Sequence, residues 1–151
     1  MRLRLQTDFA LRVLLYLAYV DRKSTVDEIA DSFGISRDHL VKVIQALARH
    51  GFVLTQAGRH GGVTLACDPK TTTVREVVEK VEGRHGVLDC VAAPGSCPME
   101  PGCSLRRLLM DAEEEFYKAL ELKTLDALTN GSRSGGGLGN LQINNPESGP
   151  G

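Results

Sequence analysis

"STVDEIADSFGISRDHLVKVIQALARHGFVLTQAGRHGGVTLA", Ser24 to Ala66, is divided by its caps and glycines into four short segments. Thr25 followed three residues later by Glu28 is a capping box, Ile29 and Phe33 supply a buried side, and Gly34 stops the turn. The pattern predicts a short helix between Thr25 and Gly34. Ser36 then caps a second helix in which Leu40, Val43, Ile44 and Leu47 form the apolar stripe, with Gly51 as its terminator. Only about three residues separate the two. "FVLTQ" and "GVTLA" follow with strand composition, joined by "AGRHG", a glycine-rich and basic hairpin tip. Helix, tight turn, helix and hairpin make a winged helix-turn-helix.

In such a motif the second helix enters the DNA major groove, whose width admits an α-helix, so residues opposite the apolar stripe meet bases and phosphates. Those residues are Ser36, Arg37, His39 and Lys42, with Gln45 further along the same face. Arg59 and His60 at the wing tip are placed for a phosphate or the minor groove, and Gly58, Gly61 and Gly62 permit close backbone approach. The same outline occurs in protein-binding modules, where these charges would be solvated surface. His39 and His60 lack a Cys or His partner at ligand spacing, which argues against a metal role for either.

Toward the N-terminus, Phe9, Val13, Leu14, Leu17 and Ala18 recur at helical spacing after Thr7 or Asp8, either of which can cap, giving a helix over about 7–20. Asp8 and Arg12 interrupt its apolar run, which is too short for a membrane span and has no cleavage site after it. The expectation is a cytoplasmic protein. With 151 residues, 42% hydrophobic, the chain is long enough for one compact core with an appended helical element. Its formal charge of -1 is uneven: residues 1–66 carry nine Lys/Arg against six Asp/Glu, and residues 67–130 eight against twelve. The first part can face an anion. No nucleotide fingerprint or convergent acid-base pair marks an enzyme.

Downstream, Val74, Val77, Val78 and Val81 share one helical face, ended by Gly83. A longer helix follows, with Leu105, Leu108, Leu109, Ala112, Phe116, Ala119 and Leu120 at helical spacing. The DNA-binding part gives this stripe too little to bury against, so a second copy of the chain is a natural cover, alongside the chain's own first helix. The predicted fold is mainly α with a small β-hairpin: a winged helix-turn-helix over 1–66, a cysteine loop and dimerisation helix over 67–130, and a disordered tail over 131–151. That tail holds seven of the chain's glycines and almost no periodic apolar residues.

Between the last two helices lies "DCVAAPGSCPMEPGC", with Cys90, Cys97 and Cys103 at C-x6-C-x5-C. Without a secretory signal, cysteines in a reducing compartment stay free for metal or redox chemistry. Structural zinc favours close C-x2-C pairs. Wide spacing on a Pro/Gly-bent loop suits a larger object, an iron-sulfur cubane with each thiolate on a different iron and one iron left for another ligand. Free thiols and zinc remain open readings. Cys67, far from the trio in sequence, reads as a small packed side chain.

The order of helix-turn-helix, "GRHGG" wing, "VVEKVEG", three loop cysteines, "CSLRRLLMDAEEEFYKAL" and "TLDAL", with "TDFALR" near the start, resembles the NsrR-type iron-sulfur repressors, to which IscR is related. The resemblance covers residues 1 to about 130. It implies a dimeric regulator that binds a palindromic double-stranded operator, with DNA affinity set by a cluster and nitric oxide as signal. It also implies Cys90, Cys97 and Cys103 as ligands of a 4Fe-4S cluster, completed by Asp8 of the partner subunit. The IscR branch has a ligating His three residues after the last cysteine, where this chain has Arg106. A 2Fe-2S cluster, in a regulator of redox state or iron-sulfur supply, is the alternative.

Overall fold

A computed structural model describes residues 2–100, 102–132 and 137–141. The elements run α1 (Leu5–Val20), α2 (Val26–Phe33), α3 (Arg37–Arg49), β1 (Val53–Gln56), β2 (Gly62–Leu65), α4 (Val74–Glu82), the single turn α5 (Asp89–Ala92), α6 (Ser104–Glu121) and α7 (Leu125–Ser132), then a 3-10 turn at Gly137–Asn140. The expected mainly α fold with one small hairpin is present. Among the described residues no helix is long and apolar enough to cross a membrane.

The helix-turn-helix forms as its caps dictate. Thr25 accepts from the Glu28 backbone N–H at 3.1 Å while the Glu28 carboxylate accepts from the Thr25 N–H at 2.6 Å. Gly34 closes α2 in the left-handed conformation at φ 62°, where a side chain is strained. Ile35 then drops into the core and fixes the turn. Strands β1 and β2 pair antiparallel with Val53 opposite Leu65 and Gln56 opposite Gly62. Ser24, just ahead of α2, adds a further antiparallel bridge to Val63, with N···O distances of 3.0 and 2.8 Å.

One core joins these pieces. Ala10, Val13, Leu14, Tyr16 and Leu17 of α1 are buried with Ile29 of α2, Leu40, Val43, Ile44 and Leu47 of α3, and Phe52, Val53 and Val63 of the hairpin. Val77 and Val81 of α4 and Leu125 of α7 belong to the same cluster. Each fully buried Val, Leu, Ile or Phe among them is worth about 1.5–3 kcal/mol relative to exposure. The division expected at 66/67 therefore falls between elements that share a core.

Helix α1 starts at Leu5, two residues ahead of expectation, so Thr7 and Asp8 lie in its first turn and cap nothing; Arg4 is the N-cap residue, without a side-chain cap bond. Of the stretch expected to be disordered, 131–132 end α7 and 137–141 form a turn that sets Leu141 against the core. The rest of it lies outside the described residues.

The long helix α6 divides its apolar residues between two directions. Phe116, Tyr117 and Leu120 pack on Val74 and Val78 of α4, and guanidiniums of Arg75 and Arg84 lie 5.8 and 4.7 Å from the Tyr117 ring centre. Arg75 also pairs with Glu79, Glu114 and Glu121, a charged seam that locks α4 to α6. Leu105 and Leu108 stay 57% and 63% exposed, and Ala112 and Ala119 on the same side are exposed too.

At its other end α4 grips α1 through Glu82, whose carboxylate accepts from Thr7 Oγ1, from the Arg4 backbone N–H at 3.0 Å and from Arg4 Nε at 3.0 Å. Burial pushes the Glu82 carboxyl upward, but these hydrogen bonds from Thr7 and Arg4 outweigh it and hold the group below the usual carboxylate range. A depressed carboxyl contributes stability that is present above its unfolded value and is lost as pH falls through the folded one. Glu82→Gln should thus cost about 1.5–3 kcal/mol in denaturant unfolding at neutral pH. The gap to the native chain should close as pH drops below the ordinary glutamate value of about 4.3. A gap independent of pH would contradict the assignment.

Candidate functional site

Two surfaces carry the residues singled out by sequence. The first is the outward face of α3. Ser36 caps the helix by accepting from the His39 N–H at 3.4 Å, and Ser36, Arg37, His39, Lys42 and Gln45 are all exposed, opposite the buried stripe. Arg37 Nε donates to Asp27 Oδ1 at 3.0 Å in a pair whose side chains are 63% and 69% exposed. Such a pair is worth about 0.2–1 kcal/mol, so the guanidinium is readily released to a phosphate or base.

Arg59 and His60 are exposed at the tip of the wing, as expected. Two of the three glycines there, Gly61 and Gly62, are also required by the wing itself. A Cβ on Gly61 would lie 2.4 Å from the Gln56 carbonyl oxygen, and one on Gly62 would lie 2.9 Å from that of Ser24. The close approach is to the protein's own backbone, which sets the wing's shape. Lys23 adds a brace that sequence gave no sign of: its Nζ donates to the His60 carbonyl at 2.7 Å.

Helix α1 borders this surface. Leu5, Gln6 and Phe9 join His39, Lys42 and Val43 around an open, mostly apolar groove of about 230 Å³. Asp8 sits in the same first turn of α1, half-exposed, where both its oxygens accept from Arg12, from Nε at 2.9 Å and Nη2 at 3.1 Å. Sequence reading missed this pairing, although the i, i+4 spacing of Asp8 and Arg12 signals it.

The second surface is the cysteine loop. Cys90 lies in α5, Cys97 in the turn that follows, and Cys103 is the N-cap residue of α6, its sulfur accepting from the Arg106 N–H at 3.5 Å. All three are free and half-buried. Among the described residues no three Cys, His, Asp or Glu side chains stand gathered at metal-ligand spacing, so the trio shares one loop without forming a closed cage. As donors they fit a sulfide-rich metal group: three soft thiols on one bend, beside the N-terminus of an 18-residue helix whose dipole favours negative charge. Cys67 is separate. It packs against the core near Phe52, and burial pushes its thiol up while a hydrogen bond with Thr72 pulls the other way.

A helix-turn-helix with an exposed polar recognition face, a braced wing and an all-helical second part is the architecture of a winged-helix regulator. The model of the Rrf2 family, described as iron-dependent transcriptional regulators, matches residues 3–131, and the chain belongs to that family. It is 39% identical over 131 residues to the HTH-type transcriptional repressor NsrR of Streptomyces coelicolor, covering 85% of this chain and 88% of that protein. To the regulator NsrR of Geobacillus kaustophilus it is 38% identical over 128 residues, covering 83% and 87%. Among solved structures it superimposes on CymR, the global cysteine regulator of B. subtilis, with a TM-score of 0.70 at 18% identity, covering 86% of this chain and 97% of that one. IscR of T. potens gives 0.69 at 18% identity, covering 91% and 93%. At that identity the two structures bear on the fold, which they share. The resemblance to NsrR-type proteins read from the sequence holds.

The burial of Cys67 has a chemical consequence. Thiolate is the alkylating nucleophile, so Cys67 in the metal-free native protein should react with iodoacetamide several-fold more slowly than a small free thiol at the same pH. Mass-spectrometric alkylation kinetics measure this, and a Cys67 rate equal to that of free thiol would contradict its placement.

Proposed function

We propose that this protein is a homodimeric, cytoplasmic DNA-binding repressor whose affinity for a palindromic operator is set by a 4Fe-4S cluster that senses nitric oxide. The observation that carries the reading is the set of three free, half-buried thiols on one loop at the start of α6, in a family described as iron-dependent regulators. In this reading residues 1–66 read DNA, and residues 67–130 hold the cluster loop and the dimer helix.

Cys90, Cys97 and Cys103 donate thiolates, and Asp8 of the partner subunit supplies a harder oxygen ligand. A 4Fe-4S cluster held by these residues would have one iron on the harder carboxylate ligand, and that more weakly held iron would supply the reactivity toward nitric oxide. Leu105, Leu108, Ala112 and Ala119 cover the same face of a second α6, which removes their exposed apolar area from water. Both oxygens of Asp8 are held by Arg12 within the chain, so to serve as a ligand across that dimer Asp8 would have to leave Arg12. Because the first turn of α1 borders His39 and Lys42, tying Asp8 to the other subunit's loop fixes one recognition helix relative to the other. Loss of the tie lets their separation drift from the DNA repeat of about 34 Å, and binding weakens.

Ser36, Arg37, His39 and Lys42 contact the major groove, and Arg59 and His60 the backbone or minor groove. Gel-shift titration tests these roles. Arg37→Ala should cost about 1–3 kcal/mol at the operator by losing a base contact. Arg59→Ala should weaken binding to all sequences alike and lower the salt slope by about 1. Unchanged affinity in the first, or a loss confined to one base pair in the second, would reassign the residue.

The cluster roles separate by variant. Ala at Cys90, Cys97 or Cys103 should abolish cluster uptake, whereas Cys67→Ala leaves it intact. Asp8→Ala should retain some cluster, with water or a small thiol at the vacated position, but lose it faster. Nitric oxide added to the loaded protein should release the operator. Release by oxidants with no response to nitric oxide, or a 2Fe-2S spectrum, would instead favour a sensor of redox state or iron-sulfur supply.

A further inference from the structure

We infer that Arg106 is the positioning residue of the cysteine loop, acting with Glu100 as a polar clamp that brings the three cysteine segments together before any metal group arrives. The inference rests on the cluster reading for its purpose but on geometry alone for its existence. Arg106 Nε donates to the Cys90 carbonyl at 2.7 Å and lies 3.3 Å from Glu100 Oε1. Its backbone N–H points at the Cys103 sulfur at 3.5 Å. One residue of α6 thus touches the backbone of the first cysteine and the thiol of the last.

Glu100 brings in the middle one. Its N–H donates to the Cys97 carbonyl at 3.1 Å, its own carbonyl accepts from the Cys103 N–H at 3.3 Å, and its carboxylate accepts from the Gly95 N–H. The side chains of Arg106 and Glu100 are only 22% and 14% exposed, on a loop where Leu88 and Met99 are 49% and 72% exposed. Without an apolar core of its own, this loop depends on charge-assisted hydrogen bonds to offset the entropy of ordering its backbone. At its far end the loop is anchored by shape: Gly86 has φ 66°, and a Cβ there would sit 2.6 Å from the Ala92 nitrogen. Docking on Gly86 at one side and the Arg106 clamp at the other leave α5 little freedom.

Arg106 makes no bond to iron in this scheme. Its effect is on the cost of assembling three thiolates from one chain, the part of metal affinity that outer groups control by holding ligands in place.

Two measurements test the clamp. Amide hydrogen exchange on the metal-free protein reads it directly. In Arg106→Ala the amides of Val91, Ala92, Ala93 and Glu100 should exchange about tenfold faster or more, while those of α3 and the hairpin keep their rates. Glu100→Gln should show the same pattern, and Arg106→Lys, which keeps the charge but not the forked geometry, an intermediate one. Should Arg106→Ala fail to fold, the other two variants carry the test. Unchanged exchange at these amides overturns the proposal.

In the second measurement, anaerobic protein is loaded with iron and sulfide and then challenged with a chelator. Arg106→Ala should load more slowly or lose iron about 10–100-fold faster than the native chain, with all three thiols present. Equal uptake and loss overturns the positioning role. A native chain that takes up no iron sinks the cluster reading instead, and the exchange result still decides whether the clamp exists.

Discussion

Helix α1 is surrounded, and the rest of the structure depends on that. Ala10, Val13 and Leu14 are fully buried and Tyr16 and Leu17 nearly so, and the cluster they enter takes side chains from α2, α3, the hairpin, α4 and α7. Packed interiors transmit displacement because they have few voids to absorb it. The recognition helix and the segment leading to the cysteines therefore rest on opposite sides of one rigid rod. Thr7 and Arg4 bind Glu82 at the end of α4, within a few residues of the loop, and Arg4 Nη2 lies 3.2 Å from His85 Nε2 beyond it. The same first turn of α1 that carries Asp8 borders the recognition helix through Leu5 and Gln6 and binds the end of α4, the helix that leads into the cysteine loop, through Thr7.

Helix α6 shows a different division of labour. Its inner side is committed to α4 by Tyr117, Phe116, Leu120 and the Arg75 and Arg84 ion pairs, while its outer side keeps Leu105 and Leu108 in solvent. A leucine pair exposed beyond half, in line with two alanines, is a poor arrangement for a helix that works alone. With Cys103 as the N-cap residue of that helix, whatever covers the outer face also bears on the cysteine loop.

The sequence made the DNA-reading half legible because its signals are local. The Thr25 and Glu28 capping box, Gly34, the Ser36 cap and the two β-rich segments each specify their own backbone, and the structure follows them, with each strand one residue shorter than its segment. The loop cysteines were equally visible as a composition anomaly. Hidden were the contacts between residues distant in the chain: Lys23 on the His60 carbonyl, the Ser24 bridge to Val63, Glu82 on Thr7 and Arg106 on Cys90. These are single polar pairings with no periodicity to betray them. Helix α7 escaped because its buried positions are few, Leu125 and Thr129, and Gly131 near its end reads as a breaker. The start of α1 was misjudged because Thr7 looks like a cap, whereas its hydroxyl is spent on Glu82.

The metal content of the protein purified without oxygen bears most directly on this account. Iron and acid-labile sulfide, measured per chain, should each come to about four, the stoichiometry of one 4Fe-4S cluster on the Cys90, Cys97 and Cys103 loop. Zinc in place of iron, or about two irons and two sulfides per chain, would contradict it.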